Sequence, residues 1–428
     1  MPGRIFKLSE IRENFLRDRW PRKRGLYDEI LDYVEKIIRD VREQGDRALI
    51  ELTEKFDGVK LNINRIKVTP EEIEEAYNKV SEEQISAIEA AKRRIYVFEK
   101  DLLSKMSFEY IDDLGVKMQL KPWPIESIGC YVPGGRFPYP STLLMTTVPA
   151  KTAGVSRVIV CTPPLKTGEV HPLILVTADI GGVDEIYRVG GAQAIAAMAY
   201  GTESIKPVKK IVGPGNRYVA AAKLLVSRDT PIDHPAGPSE IMVLADETAN
   251  PHHIALDLVS QLEHEFGSIS VLVTTSMDLA KRVYEDVVCM IDAQLDECAW
   301  LLIADDLDEA IDFINSFAPE HLEIIAKDSY EISSRIYSAG LILIGDSTPV
   351  SISDYCLGIS HVIPTGGYGH VYQPLSVLDF IKFICIAECP TEALRKLSDA
   401  AITLAESEGL TKHALAISRR VSDWLERR

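Results

Sequence analysis

Asp257, Gln261 and His264 follow one another at spacings of four and three, so on a helix their side chains leave the same side of successive turns. An amide oxygen and an imidazole nitrogen three residues apart can reach one metal ion. The same stripe also describes a solvated helix face with an incidental histidine, because glutamine is an uncommon ligand and two donors do not close a tetrahedral site. Asp354 could add the anionic ligand that Zn2+ on Gln261 and His264 would lack, and His361 lies nearby; either could equally be a cap or a buried hydrogen-bonding group. Glu408 and His413 stand between two C-terminal helices, where a surface histidine at a helix start is one reading and a tail crossing to a neighbouring subunit the other. Glu320 and His321 place a carboxylate beside an imidazole just before an apolar strand. That pairing suits proton transfer near neutrality, and equally suits a solvated turn with a capping glutamate.

Three glycine-rich turns could face an anion: Tyr131-Val-Pro-Gly-Gly135, Val189-Gly-Gly-Ala-Gln193 and Val212-Gly-Pro-Gly-Asn216. The last two run into helices whose free N–H groups and positive ends would meet a phosphate. None completes G-x-G-x-x-G, since Tyr218 stands where a third glycine would follow Gly213 and Gly215, and tight strand-to-helix turns need glycine for steric reasons alone. A nucleotide site and a purely structural turn are both open on this pattern.

Regular elements must position these groups. Asn250 is a good N-cap, Pro251 suits the first helical position, and Ile254, Leu258 and Leu262 give one apolar face, which predicts a helix over 250–265. Short apolar runs predict strands at 128–132, 157–161, 185–189 and 210–212, with helices at 173–179, 192–200 and 217–226 between them. A second series follows, with strands at 240–245, 269–274, 300–303, 322–325 and 341–344 and a further helix at 279–295. The alternation predicts two tandem α/β units with parallel sheets, breaking near Pro235-Ala-Gly-Pro238. Residues 1–20 read as a basic arm, 26–44 and 70–103 as amphipathic helices, and 59–68 as a short strand. After Asp354 come a glycine-rich loop, Pro364-Thr-Gly-Gly-Tyr-Gly-His370, and helices at 391–406 and 411–425 parted by Gly409.

At 428 residues, 46% of them hydrophobic, the chain exceeds what one core organises, and two or three domains are expected. A net charge of −17 argues against nucleic acid and anionic membrane as partners and in favour of a small molecule. Seven cysteines, an odd number without a Cys-x-x-Cys, read as reduced thiols of a cytoplasmic protein. No signal-peptide core and no apolar run of about 18 residues predicts export or membrane insertion.

Seven blocks, in order, resemble the histidinol dehydrogenase family over essentially the whole chain from about residue 25. They are Tyr131-Val-Pro-Gly-Gly135 with Tyr139-Pro-Ser141, Val189-Gly-Gly-Ala-Gln-Ala-Ile195, Ile211-Val-Gly-Pro-Gly-Asn216, Pro235-Ala-Gly-Pro-Ser-Glu240, Ser260-Gln-Leu-Glu-His264, Ala318-Pro-Glu-His-Leu322 and His361-Val-Ile-Pro-Thr365. The resemblance implies a homodimeric enzyme with one Zn2+ per subunit that uses NAD to oxidise an amino alcohol, L-histidinol, through the aldehyde to L-histidine. It implies an α/β fold of two Rossmann-like parallel-sheet domains, one inserted in the other, with helical N- and C-terminal extensions. On that pattern residues 21–128 plus 240–375 form the first α/β domain with the metal and acid/base groups, 129–239 the inserted cofactor domain, and 376–428 a helical dimerisation tail. Zinc ligands would be Gln261, His264, Asp354 and His413, the last from the other subunit. His321 would take the alcohol proton and Glu320 would activate the hydrating water; Tyr131, Gln193 and Asn216 would contact the cofactor. Ser239, His361 and Glu408 would line the substrate pocket beside the metal ligands and His321.

The sequence departs from the family's usual residues at His234, Arg217, Ser360, Gly369-His370, Gln373 and Phe383-Ile384. Most of these lie beside the expected pocket or cofactor, so another primary alcohol, such as a sulfonated diol, is the alternative substrate. A non-catalytic binding protein and a metal-dependent hydrolase using Glu320 are the readings from other classes.

Overall fold

The computed structural model describes residues 5–14, 28–134, 137–235, 238–263, 268–290 and 299–426. In chain order its strands are β1 (Ile5–Lys7), β2 (Phe108–Ile111), β3 (Lys117–Pro124), β4 (Ser127–Tyr131), β5 (Arg157–Cys161), β6 (Glu185–Tyr187) and β7 (Lys210–Val212). They continue as β8 (Glu240–Ala245), β9 (Ile269–Thr274), β10 (Ala299–Ile303), β11 (His321–Ile325), β12 (Leu341–Ile344) and β13 (Ile381–Glu388).

Two parallel sheets result, β6-β5-β4-β7 and β1-β10-β9-β8-β11-β12. Numbered along the chain, the first runs 3-2-1-4 and the second, without its edge strand β1, runs 3-2-1-4-5, the strand order of a doubly wound nucleotide-binding fold. The expected α/β architecture with parallel sheets is therefore present. Every residue of β8 and β9 is buried, as befits strands covered on both faces, and this is why they read as mostly apolar runs without polar alternation. One face of the six-stranded sheet packs against the Pro251–Leu262 and Met277–Met290 helices, the other against the Leu307–Phe317 helix. Among the described residues no helix is long and apolar enough to cross a membrane.

Several elements differ from the sequence reading. The arm's Ile5–Lys7 is an edge strand, pairing with β10. The helices Asp28–Gln44 and Asp46–Asp57, placed by sequence with the first α/β domain, bury Val34, Ile37, Leu49 and Leu52 in the core of the four-stranded sheet instead. The single helix expected over 70–103 is two, Pro70–Tyr77 and Glu82–Ser104, because Ser81 and Gln84 exchange capping bonds of 3.3 and 3.1 Å and start a new helix. Residues 59–68 form no strand of their own. They hold a 3-10 turn at Ile63–Arg65, and Val68 N–H donates to Ile186 O at 2.9 Å. A helix at Pro140–Ala153 escapes the sequence pattern because prolines stand at its start and at Pro149 and nearly all of it is buried, which erases amphipathic periodicity.

The chain divides into two compact units, residues 1–100 with 125–380, and 101–124 with 381–428. The larger holds both parallel sheets. In the smaller, β13, β3 and β2 form an antiparallel sheet and the Thr391–Ser407 and Thr411–Glu426 helices pack on each other, so the tail is not purely helical.

Candidate active site

The Leu307–Phe317 helix ends on Ala318, whose φ of 52° makes it the one non-glycine residue in the left-handed region among those described. That turn sends Pro319-Glu320-His321 straight into β11. Glu320 and His321 are both buried and converge on the backbone of one residue: Glu240 N–H donates to Glu320 Oε2 at 2.7 Å, and His321 Nδ1 lies 3.3 Å from Glu240 O. His321 Nδ1 and Glu320 Oε2 are 3.7 Å apart. Glu240 in turn accepts Gly366 N–H on Oε1 at 3.1 Å, which ties the glycine-rich loop to the same point. Gly340 is obligatory here, since a Cβ would come within 2.5 Å of Glu320 O. These groups lie at the amino ends of β8 and β11, whereas the glycine-rich turns lie at the carboxyl ends of the four-stranded sheet.

Gln261 sits in the last turn of the Pro251–Leu262 helix, 2% exposed, and Asn250 caps that helix through His252 N–H at 3.0 Å. His264, the ligand expected three residues on, lies outside the described residues. Asp354 is on the short Val350–Tyr355 helix, where burial pushes its carboxyl up to about 7. His361 Nδ1 is 2.8 Å from Asp354 O, and its Nε2 is 3.1 Å from Thr142 Oγ1 on the Pro140–Ala153 helix. Asp354 and His361 thus meet, bridging toward the four-stranded sheet. Ser239 precedes β8, its carbonyl accepting Ile269 N–H at 2.9 Å. Glu408 and His413 belong to the smaller unit, after Thr391–Ser407 and in the first turn of Thr411–Glu426 respectively. Among the described residues no three His, Cys, Asp or Glu side chains converge as a metal site.

At the carboxyl end of the four-stranded sheet, Tyr131 accepts Gly191 N–H on its phenol oxygen at 3.1 Å. Its carbonyl oxygen lies only 2.2 Å from where a Cβ of Gly213 would stand, and Gly213 has φ 112°. A buried ion pair grips that glycine from both sides: Lys223 Nζ donates to Gly213 O at 2.8 Å and Gly213 N–H donates to Asp233 Oδ2 at 2.8 Å. Burial would raise the Asp233 carboxyl, but the Lys223 and His234 charges hold it below its ordinary value. Gln193, 1% exposed, has neither its amide nitrogen nor its amide oxygen in a hydrogen bond, an arrangement that costs free energy unless a ligand completes it. Asn216 caps the Arg217–Val226 helix, its Oδ1 accepting Tyr218 N–H at 3.0 Å and Val219 N–H at 3.2 Å. A cavity of about 120 Å³ lies at the same edge, against Pro133, Phe137, Thr162, Pro163 and His171.

The family model described as histidinol dehydrogenase matches residues 21–421. The chain belongs to the histidinol dehydrogenase family. Histidinol dehydrogenase of Methanosarcina mazei is 43% identical over 97% of this chain and 97% of its own, and that of Methanocaldococcus jannaschii is 44% identical over 94% of each. The crystal structure of histidinol dehydrogenase from Elizabethkingia anophelis superposes with a TM-score of 0.92 at 34% identity, covering 98% of both chains.

Within this histidinol dehydrogenase fold, two groups at the site went unassigned by sequence reasoning. Glu240 reads only as the first residue of a strand; a glutamate opening a wholly buried strand was the available signal. Lys223 lies within the helix expected over 217–226 and is 1% exposed. Its partner is ten residues away, and nothing local announces it.

Proposed function

We propose that this chain is an NAD-linked, zinc-dependent dehydrogenase that oxidises L-histidinol through L-histidinal to L-histidine. The carrying observation, beside the family match, is the buried Glu320–His321 pair held on the backbone N–H and C=O of the single residue Glu240. When bound, NAD would accept one hydride in each of two successive oxidations, two NAD being reduced per substrate, and Zn2+ would orient and polarise the amino alcohol. Gln261, His264 and Asp354 would hold the metal with His413 of the second copy, a nitrogen and oxygen donor set suited to zinc. The orphaned amide of Gln193 and the turn carrying Tyr131 and Asn216 fit the cofactor, whose carboxamide or hydroxyls would complete that amide.

His321 acts as base. With Nδ1–H directed to Glu240 O, Nε2 is the basic nitrogen that takes the alcohol proton, a tautomer inferred from the acceptor it faces. Glu320 takes the proton from the water that adds to the aldehyde, after which a second hydride leaves the hydrate and the acid forms. Ser239, His361 and Glu408 line the pocket for the amino alcohol.

Of the departures from the family's usual residues, Ser360 accepts Val362 N–H at 3.1 Å and His370 bonds Ser338 Oγ at 3.0 Å. Both are engaged within the protein. A homodimer is supported by the smaller unit's sheet: Phe108, Tyr110, Met118, Leu120 and Phe383 share one face by register, and all are exposed in the single chain. The dimer is cytoplasmic, in keeping with buried free thiols at Cys130 and Cys161.

The test is NADH formed per substrate consumed, with zinc-loaded protein, NAD and L-histidinol. Two NADH per histidinol, abolished by a chelator, is the expected result; no NADH from protein shown to hold zinc would sink the substrate assignment.

A further inference from the structure

Side chains alternate along β11, so His321, Glu323 and Ile325 face one layer and Leu322 and Ile324 the other. Ile325 packs with Ile254, Ala255 and Leu258 of the Pro251–Leu262 helix, while Leu322 and Ile324 pack with Phe313 and Phe317. Glu323 is therefore a carboxyl, 1% exposed, in the apolar layer beneath the helix that carries Gln261. Its Oε1 accepts the N–H of Val350, the first residue of the helix that carries Asp354. Its Oε2 is buried with no hydrogen-bond donor, and the carboxyl as a whole faces that of Asp257, one turn before Gln261 and 8% exposed.

Two buried carboxylates repel when both are charged; the contact is a hydrogen bond only when one keeps its proton. Burial holds Asp257 up at about 6, and burial with the Asp257 charge holds Glu323 well above the carboxylate range. The ionisable groups facing the pair are His253, which favours the charged form of Asp257, and Asp346, which opposes ionisation of both; these two are joined at 2.8 Å. The proton thus belongs on Glu323, whose hydroxyl donates to Asp257 while its carbonyl oxygen accepts Val350 N–H.

We infer that the Asp257–Glu323 acid pair is a positioning device that sets the spacing of Gln261 and Asp354, by tying the Pro251–Leu262 helix, β11 and the Val350–Tyr355 helix together through one shared proton. The inference rests on the reading of Gln261 and Asp354 as metal donors. It adds two residues that touch neither metal nor substrate. An apolar residue in place of Glu323 would fill the layer but release Val350 N–H and strand Asp257. Glutamine would not, because its amide donates to Asp257 and its oxygen accepts from Val350, as the protonated acid does.

The experiment titrates Zn2+ alone into metal-stripped parent, Glu323→Gln and Glu323→Leu proteins by calorimetry, and measures amide exchange across 350–355 in the same metal-free samples. The Gln variant is expected to match the parent in both, and the Leu variant to bind zinc about 10- to 100-fold more weakly with protection of 350–355 lost. A Leu variant that binds zinc like the parent, or Gln and Leu variants weakened alike, overturns the proposal. A parent that binds no zinc overturns the metal assignment instead, and unchanged protection in Glu323→Leu then overturns the acid pair. Should Glu323→Leu fail to fold, Asp257→Asn must behave as the Gln variant and Asp257→Ala as the Leu variant, and any other order overturns it.

Discussion

Glu240 serves the proposed acid/base pair through its backbone, its N–H donating to the Glu320 carboxylate and its C=O facing the His321 ring. A mutation of its side chain would leave both contacts in place, so the sensitive residues are Glu320 and His321 themselves. For His321→Ala, kcat should fall by about 10²- to 10⁴-fold, the usual worth of a general base, with KM for L-histidinol changed only a few-fold. Steady-state kinetics check this, and a KM that rises as steeply as kcat falls would make His321 a binding group instead. Glu99 is a buried carboxyl of a different kind. It accepts Val377 N–H at 2.7 Å on one oxygen while the other has no partner, and burial, opposed by that bond and helped by the Asp379 charge, pushes it to about 7. A folded-state value raised above the unfolded 4.5 means stability fully present below pH 4.5 and lost as pH rises through 7. Glu99→Gln keeps the acceptor without the charge. Denaturant melts should show it equal to the parent at about pH 4 and more stable at pH 8, by up to about 3 kcal/mol; parallel pH profiles would refute the assignment.

At the scale of elements, the turn from β7 into the Arg217–Val226 helix is held by charge as well as by glycine. Lys223 and Asp233 each spend a hydrogen bond on Gly213, and the pair is nearly sealed from water. Removing one partner leaves a buried charge alone, so Lys223→Met should cost about 3–5 kcal/mol in urea unfolding. The double variant Lys223→Met with Asp233→Leu should recover much of that, because no lone charge is left. If the double variant is as unstable as the single, the loss comes from the released glycine turn and not from the orphaned carboxylate. Buried polar groups at the start of β8 and just before β11 are tolerated for a similar reason: the Glu320 carboxylate accepts the backbone N–H of Glu240, and the Glu240 carboxylate accepts Gly366 N–H.

At the scale of the whole molecule, His413 and Glu408 stand in a unit separate from the one that carries Glu320, Gln261 and Asp354. That unit bears a sheet face whose Phe108, Leu120 and Phe383 are exposed in a single chain. If the tail completes the partner's site, two inactive variants should rescue each other. Co-expressed His413→Ala and His321→Ala chains would form mixed dimers with one intact site, restoring up to about a quarter of parental activity for random pairing. Activity of the purified mixture, against each variant alone, decides it; no rescue from demonstrably mixed dimers would place the tail on its own subunit. Leu120→Asp should shift the species seen in sedimentation from dimer to monomer.

Local signals were enough for the elements that are uniform along the chain. Apolar runs marked β5, β8 and β9 because strands covered on both faces need no alternation, and Asn250-Pro251 marked its helix because a cap is chemistry within three residues. The ordered blocks likewise sufficed for the family. What needed the tertiary structure is chemistry between residues far apart in sequence: Glu240 with Glu320, eighty positions on, or Thr142 with His361. The antiparallel β13-β3 pair was illegible for the same reason, since residues 117–124 and 381–388 meet only in the folded chain and their apolar side chains are left exposed in it. Asp257 shows the division within one residue. Its place on the polar stripe follows from helical period, but its partner Glu323 follows only from a strand laid beneath that helix, where burial makes two acids share a proton.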